Sequence, residues 1–265
     1  MYATKNGERK KIKLMETSKK YLVIACDILF REVCLCASQS KNIIDIIFQK
    51  KALHDTGEAF MSKTLQNTID NADCEDYDAV LLCYGLCNNG IVNLRAPVPL
   101  VVPRAHDCIT LLLGSKEKYA DYFFADNGGT YYYSSGWLER NTGSKDTEEQ
   151  NISNQLGLNK SYESYVEEYG EENAEYIMSI LGSWAANYSK AAFIDNKIGD
   201  IQNNRKKTME IAESRGWEYE EIEGSNILIE KLLEGEWDSA DFLVILPDHK
   251  IEPSHDGGIV KSAAL

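Results

Sequence analysis

Three short apolar runs, each leading into a turn that carries cysteine or histidine, constrain this chain more than any other feature. The first is Tyr21-Leu22-Val23-Ile24-Ala25-Cys26, followed by Asp27. The second is Ala79-Val80-Leu81-Leu82-Cys83, followed by Tyr84-Gly85-Leu86-Cys87. The third is Pro99-Leu100-Val101-Val102, followed by Pro103-Arg104-Ala105-His106-Asp107-Cys108. Unbroken Val/Ile/Leu runs of this kind read as strands buried on both faces, the mark of a parallel sheet. Ligands of open parallel sheets bind just beyond the carboxyl ends of the strands. If the three strands are parallel neighbours, Cys26, Cys83, Cys87, His106 and Cys108 gather on one rim.

Strand-like and helix-like segments alternate along the chain, as right-handed βαβ units require. Helices are expected over 27–38 (capped by Asp27), 57–71, 89–94, from Asp107 onward, and over 116–124. Further strands fall at 42–49 and 130–133. The polar stretch 141–160 separates a flexible extension (1–20) and an N-terminal α/β lobe (21–140) from a linker and C-terminal α/β lobe (141–265). The second lobe reads as one or two helices over 162–186, then strand 190–195, helix 197–215 ended by Gly216, strand 217–222, helix 227–233 and strand 241–246. The tail after 246 has no clear periodicity. The expected fold is α/β: two Rossmann-like lobes with mostly parallel sheets and a cleft between them.

The 265 residues, 43% hydrophobic, suffice for a sizeable core. Against 42 acidic residues stand 28 basic ones, and a net charge of −14 argues against sequence-independent binding of nucleic acid or anionic membrane. Seven cysteines, an odd count, with no apolar leader before a cleavage site, favour free or metal-bound thiols in a reducing cytoplasm. No CxxC pair, phosphate-binding loop, G-x-S-x-G or H-E-x-x-H occurs.

Candidate chemistry therefore rests on the three turns. In Cys83-Tyr-Gly-Leu-Cys87-Asn-Asn-Gly90, Cys87 is expected near the amino end of a short helix, where a thiol pKa falls and the thiolate is favoured. Cys87 and Arg104 are the candidate catalytic residues, Arg104 as a bidentate anion clamp. Gly85, Asn88 and Gly90, with Tyr132 from the aromatic run Thr130–Trp137, are the candidate cofactor contacts. Cys26, Cys87, His106 and Cys108 are the candidate metal ligands, with Asp107 a helix cap or a partner that orients His106. The competing reading of each cysteine is a small apolar core residue, and it fits Cys83, the last strand residue, better than Cys87, which sits in a turn. His54, Asp195, His249 and His255 carry no assigned role.

The segments Ala25-Cys26-Asp27-Ile28-Leu29-Phe30-Arg31-Glu32, Tyr84-Gly85-Leu86-Cys87-Asn88-Asn89-Gly90, Pro103–Ser115 and Gly129-Thr130-Tyr131-Tyr132-Tyr133…Gly136-Trp137 resemble the family named domain of unknown function 1638, over about residues 21–247. Asn89 stands where relatives are expected to carry glycine. Members occur largely in anaerobes and are often linked by genome context to corrinoid-dependent methyl transfer. The resemblance thus implies a one-carbon or corrinoid setting.

Three functions compete. One is a cytoplasmic metal-thiolate protein, with zinc or an iron–sulfur cluster held by Cys and His, acting in methyl transfer. Another is a cofactor-free cysteine-dependent enzyme on a small metabolite. The third is a non-catalytic accessory that binds a corrinoid or metabolite, although the corrinoid-carrier signature D-x-H-x-x-G is absent. The expected partners are a small molecule or a corrinoid protein, with a homodimer on general grounds of symmetry.

Overall fold

The structure, a computed structural model, describes residues 18–51, 53, 57–125, 129–140 and 188–265, together with six scattered positions between 166 and 175. The helices expected over 162–186 lie largely outside the described residues, as do residues 1–17 of the expected N-terminal extension, the expected linker from 141 to 160 and His54.

Strands β1 (Lys20–Cys26), β2 (Ile43–Gln49), β3 (Ala79–Cys83) and β4 (Leu100–Pro103) run parallel, and β8 (Phe242–Ile245) closes the sheet antiparallel to β4. The spatial order is β2-β1-β3-β4-β8. The three apolar runs are therefore parallel neighbours, and β3 and β4 are buried along their whole length because helices cover both faces. Helix α1 (Phe30–Gln39) follows a single 3-10 turn at Asp27–Leu29. Asp27 does not cap α1. Its carboxylate instead accepts the Lys51 N–H at 2.7 Å, so it ties the end of β1 to the chain leaving β2.

A second, three-stranded parallel sheet has the order β5-β6-β7, from Thr130–Tyr133, Lys190–Asp195 and Glu218–Glu223. Strand membership thus crosses the boundary expected at residue 140: β5 belongs with β6, and β8 returns to the first sheet. The reason is physical. An apolar strand of four residues carries no record of its partner, and sheet membership is settled by which edge is open. The tail also holds structure that periodicity did not reveal, an antiparallel hairpin of β9 (His249–Pro253) and β10 (Val260–Ala264).

Further helices with described bounds are α2 (Glu58–Asp70), α3 (Cys108–Leu113), α4 (Lys116–Ala125), α5 (Ser135–Arg140), α6 (Ile201–Arg215) and α7 (Ile227–Glu234). Gly216 caps α6 at φ 67°, as its sequence position implied. Helix α7 buries Leu228, Ile229, Leu232 and Leu233, the 3.6-residue stripe of its sequence. One buried apolar cluster runs from the first sheet through α7 to Ala192, Ile194 and Ile222 of the second, so the two sheets share a core.

Candidate functional site

In the first sheet the strand order reverses between β1 and β3, which opens a crevice at their carboxyl ends. A cavity of about 280 Å³ lies there. Cys26 at the end of β1, Cys87 after β3 and Cys108 at the start of α3 all line it. The second sheet supplies the opposite wall through Tyr131, Tyr132 and Tyr133, with Trp137 from α5 beside them. Tyr132 therefore stands where the aromatic run was expected to meet a ligand.

Two loops hold the sulfurs in place. Leu86 N–H donates to Ala105 O and Cys87 N–H to His106 O, both at 2.8 Å. A Cβ on Gly85 would stand 2.6 Å from the backbone N and Cα of Asp107, so only glycine permits this approach. Asp107 in turn caps α3: its carboxylate accepts from Ile109 N–H at 2.9 Å and Thr110 N–H at 3.3 Å. Its second oxygen accepts the Tyr119 hydroxyl at 3.1 Å.

No helix forms over 89–94. Cys87, Asn88 and Asn89 take φ values of 47°, 54° and 66°, three left-handed residues in succession. Asparagine tolerates that region, and such a run reverses the chain before an α-helical ladder can start. Cys87 thus lacks the helix terminus expected to lower its pKa. Backbone N–H groups of Gly85 and Cys108 do favour its thiolate, but burial outweighs them, and Asp107 and Cys26 push the thiol up further. The Cys108 thiol is also raised, by burial first and then by Cys87, Asp107 and Cys26. Burial thus favours the neutral thiol at both positions, and Cys26 raises each of them further.

The other expected site residues are placed elsewhere. His106 is exposed, and its ring stacks on Tyr119 at 5.7 Å between centroids. Among the described residues no three or more His, Cys, Asp or Glu side chains already stand together as a metal-ligand set. Cys83 is fully buried in the core, near Cys36 and Glu32. Arg104 bonds three backbone carbonyls, those of Ser239 (3.0 Å), Gly258 (2.7 Å) and Val260 (2.6 Å), and so latches the C-terminal hairpin. Gly90 packs on Met61, whose Sδ lies 2.2 Å from where a Cβ would be, and Asn88 is exposed. Asp195 pairs with Arg205 at 2.9 Å, and His249 Nδ1 lies 3.2 Å from Pro247 O.

Three cavity residues were not singled out from sequence. Lys50 and Lys51 directly follow β2, so the strand-end rule that found the cysteines also reaches them. Lys51 Nζ stands 3.7 Å from the centre of the Trp137 ring. Tyr84 is 3% exposed, and among the described residues its hydroxyl has no hydrogen-bond partner. Burial raises the phenol well above its ordinary pKa, so it remains a hydrogen-bond donor.

A protein-family model described as Protein of unknown function (DUF1638) matches residues 48–233. The span is shorter than the 21–247 expected, and it leaves the Cys26 segment outside while enclosing Cys87, His106 and Cys108. No curated protein and no solved structure matches the chain. Among the described residues no helix is long and apolar enough to cross a membrane.

Proposed function

This chain belongs to the DUF1638 family of proteins of unknown function, and we propose that it is a metal-thiolate protein in which Cys26, Cys87 and Cys108 hold zinc or an iron–sulfur cluster beside a small-molecule cavity. The observation that carries this reading is the convergence of three sulfurs, from three separate strand ends, on one cavity at the strand-order reversal. Burial favours the protonated form of Cys87 and Cys108. A soft dication reverses that balance, because it coordinates thiolates and displaces their protons. Thiolate sulfur suits zinc and iron better than hard cations. The bound centre would supply Lewis acidity or electron transfer, and the chain's own part is to orient the sulfurs through the Gly85–Asp107 contact and to exclude water with the tyrosine wall.

A metal-free nucleophile is less well supported, because such a cysteine needs a lowered pKa and Cys87 and Cys108 are both raised. The methyl-transfer or corrinoid setting rests on the family resemblance alone. The test is anaerobic reconstitution with zinc, or with ferrous iron and sulfide, followed by desalting and metal analysis. Stoichiometric metal is expected in the wild type and in the Cys34→Ser control, with loss in folded Cys87→Ser and Cys108→Ser. Equal metal content in all four proteins overturns the proposal.

A further inference from the structure

The cavity has a polarity that the three sulfurs do not explain. One of its walls is aromatic: Tyr131, Tyr132, Tyr133 and Trp137 line it together. Its cationic side is supplied by Lys50 and Lys51, on a chain whose net charge is −14. Lys50, Arg140 and Lys51 all act on the buried Asp27 carboxyl, so three cations surround this end of β1. Two acids at this site have structural roles of their own. Asp27 accepts the Lys51 N–H at 2.7 Å, and Asp107 caps α3 while accepting the Tyr119 hydroxyl at 3.1 Å.

Tyr84 supplies the second, independent sign of a ligand. Its hydroxyl is buried against the cavity with no hydrogen-bond partner among the described residues. A buried hydroxyl left unsatisfied is destabilising, and a ligand acceptor removes that cost. The volume of about 280 Å³ lies just below the ~300–1,000 Å³ of drug-sized pockets, which suits a smaller ligand.

We propose that this cavity binds a small organic acid: its apolar body lies against the tyrosine wall, its anionic group faces Lys50 and Lys51, and an acceptor atom takes the Tyr84 hydroxyl proton in a hydrogen bond. The inference rests on this cavity being the functional site, and it holds for the metal-free protein. Two lysines at the rim of a cavity on an acidic chain concentrate anionic ligands there.

Benzoate, benzamide and benzylamine share a ring and differ in charge, so they serve as probes of the cavity in isothermal titration calorimetry on chelator-treated protein. Benzoate is expected to bind more tightly than either of the others. Lys50→Gln and Lys51→Gln should each weaken benzoate several-fold and leave benzamide unchanged, and Tyr84→Phe should weaken it about tenfold. Thermal melts establish that each variant is folded. Equal affinity for benzoate and benzamide, no benzoate binding, or indifference to the lysine substitutions overturns the inference. Because no metal is present, a failed metal reconstitution leaves this result standing, and a failed titration leaves the metal result standing.

Discussion

At Gly85 a single hydrogen in place of a methyl group decides whether two loops can touch. Alanine there puts a carbon 2.6 Å from the Asp107 backbone, which forces apart the segments carrying Cys87 and Cys108. Gly85→Ala is expected to cost about 1–3 kcal/mol by urea unfolding, the usual range for overpacking, and to lower metal uptake with it. Glu32 makes a different prediction. It is 1% exposed, its Oε2 has no hydrogen-bond partner among the described residues, and burial lifts its carboxyl from 4.5 to about 7. The folded state therefore keeps this proton to higher pH than the unfolded chain does. Its stabilising effect is complete below pH 4.5 and is lost as pH rises through about 7, a change of about 3 kcal/mol. Glu32→Gln should gain stability relative to the wild type across that window, read from urea midpoints at pH 5 and pH 8. The three cysteines were legible from their positions at strand ends. Tyr84 is not legible in the same way, because nothing in a sequence shows that a hydroxyl will be buried without a partner.

At the scale of elements, apolar runs, turn residues and caps located most of the described strands and helices, including Asp107 at the start of α3 and Gly216 at the end of α6. Two misreadings have physical causes. The 89–94 segment has helix-permissive residues, but three successive left-handed residues stop a helix from starting. The C-terminal hairpin was invisible because His-Lys-Ile-Glu-Pro alternates too weakly, and long-range bonds from Arg104 hold it instead. Hydrogen bonds from a charged donor are worth about 1.5–3 kcal/mol each. Arg104→Gln should therefore speed hydrogen exchange in β10 while β1 and β3 keep their protection. Equal protection of β10 in both proteins would show that Arg104 does not latch the hairpin.

For the whole molecule, the two sheets line one cavity from different sides. The first presents strand ends and sulfur, and the second presents an aromatic wall. Gly136 joins them closely: a Cβ there would lie 1.7 Å from the Ile28 carbonyl oxygen, so α5 packs directly on the turn after β1. Sequence pattern predicted parallel α/β layers but not which sheet would receive β5 and β8, since that depends on the open edges left by the rest of the fold.

Cobalt substitution under anaerobic conditions tests the shared sulfur centre most directly. Thiolate-to-cobalt charge-transfer absorption should appear on adding one equivalent of Co²⁺. It should fall stepwise in Cys26→Ser, Cys87→Ser and Cys108→Ser and persist in His106→Gln, because the His106 ring stacks on Tyr119 away from the cavity. Absorption that survives all three serine substitutions, or that vanishes with His106 alone, would contradict the account.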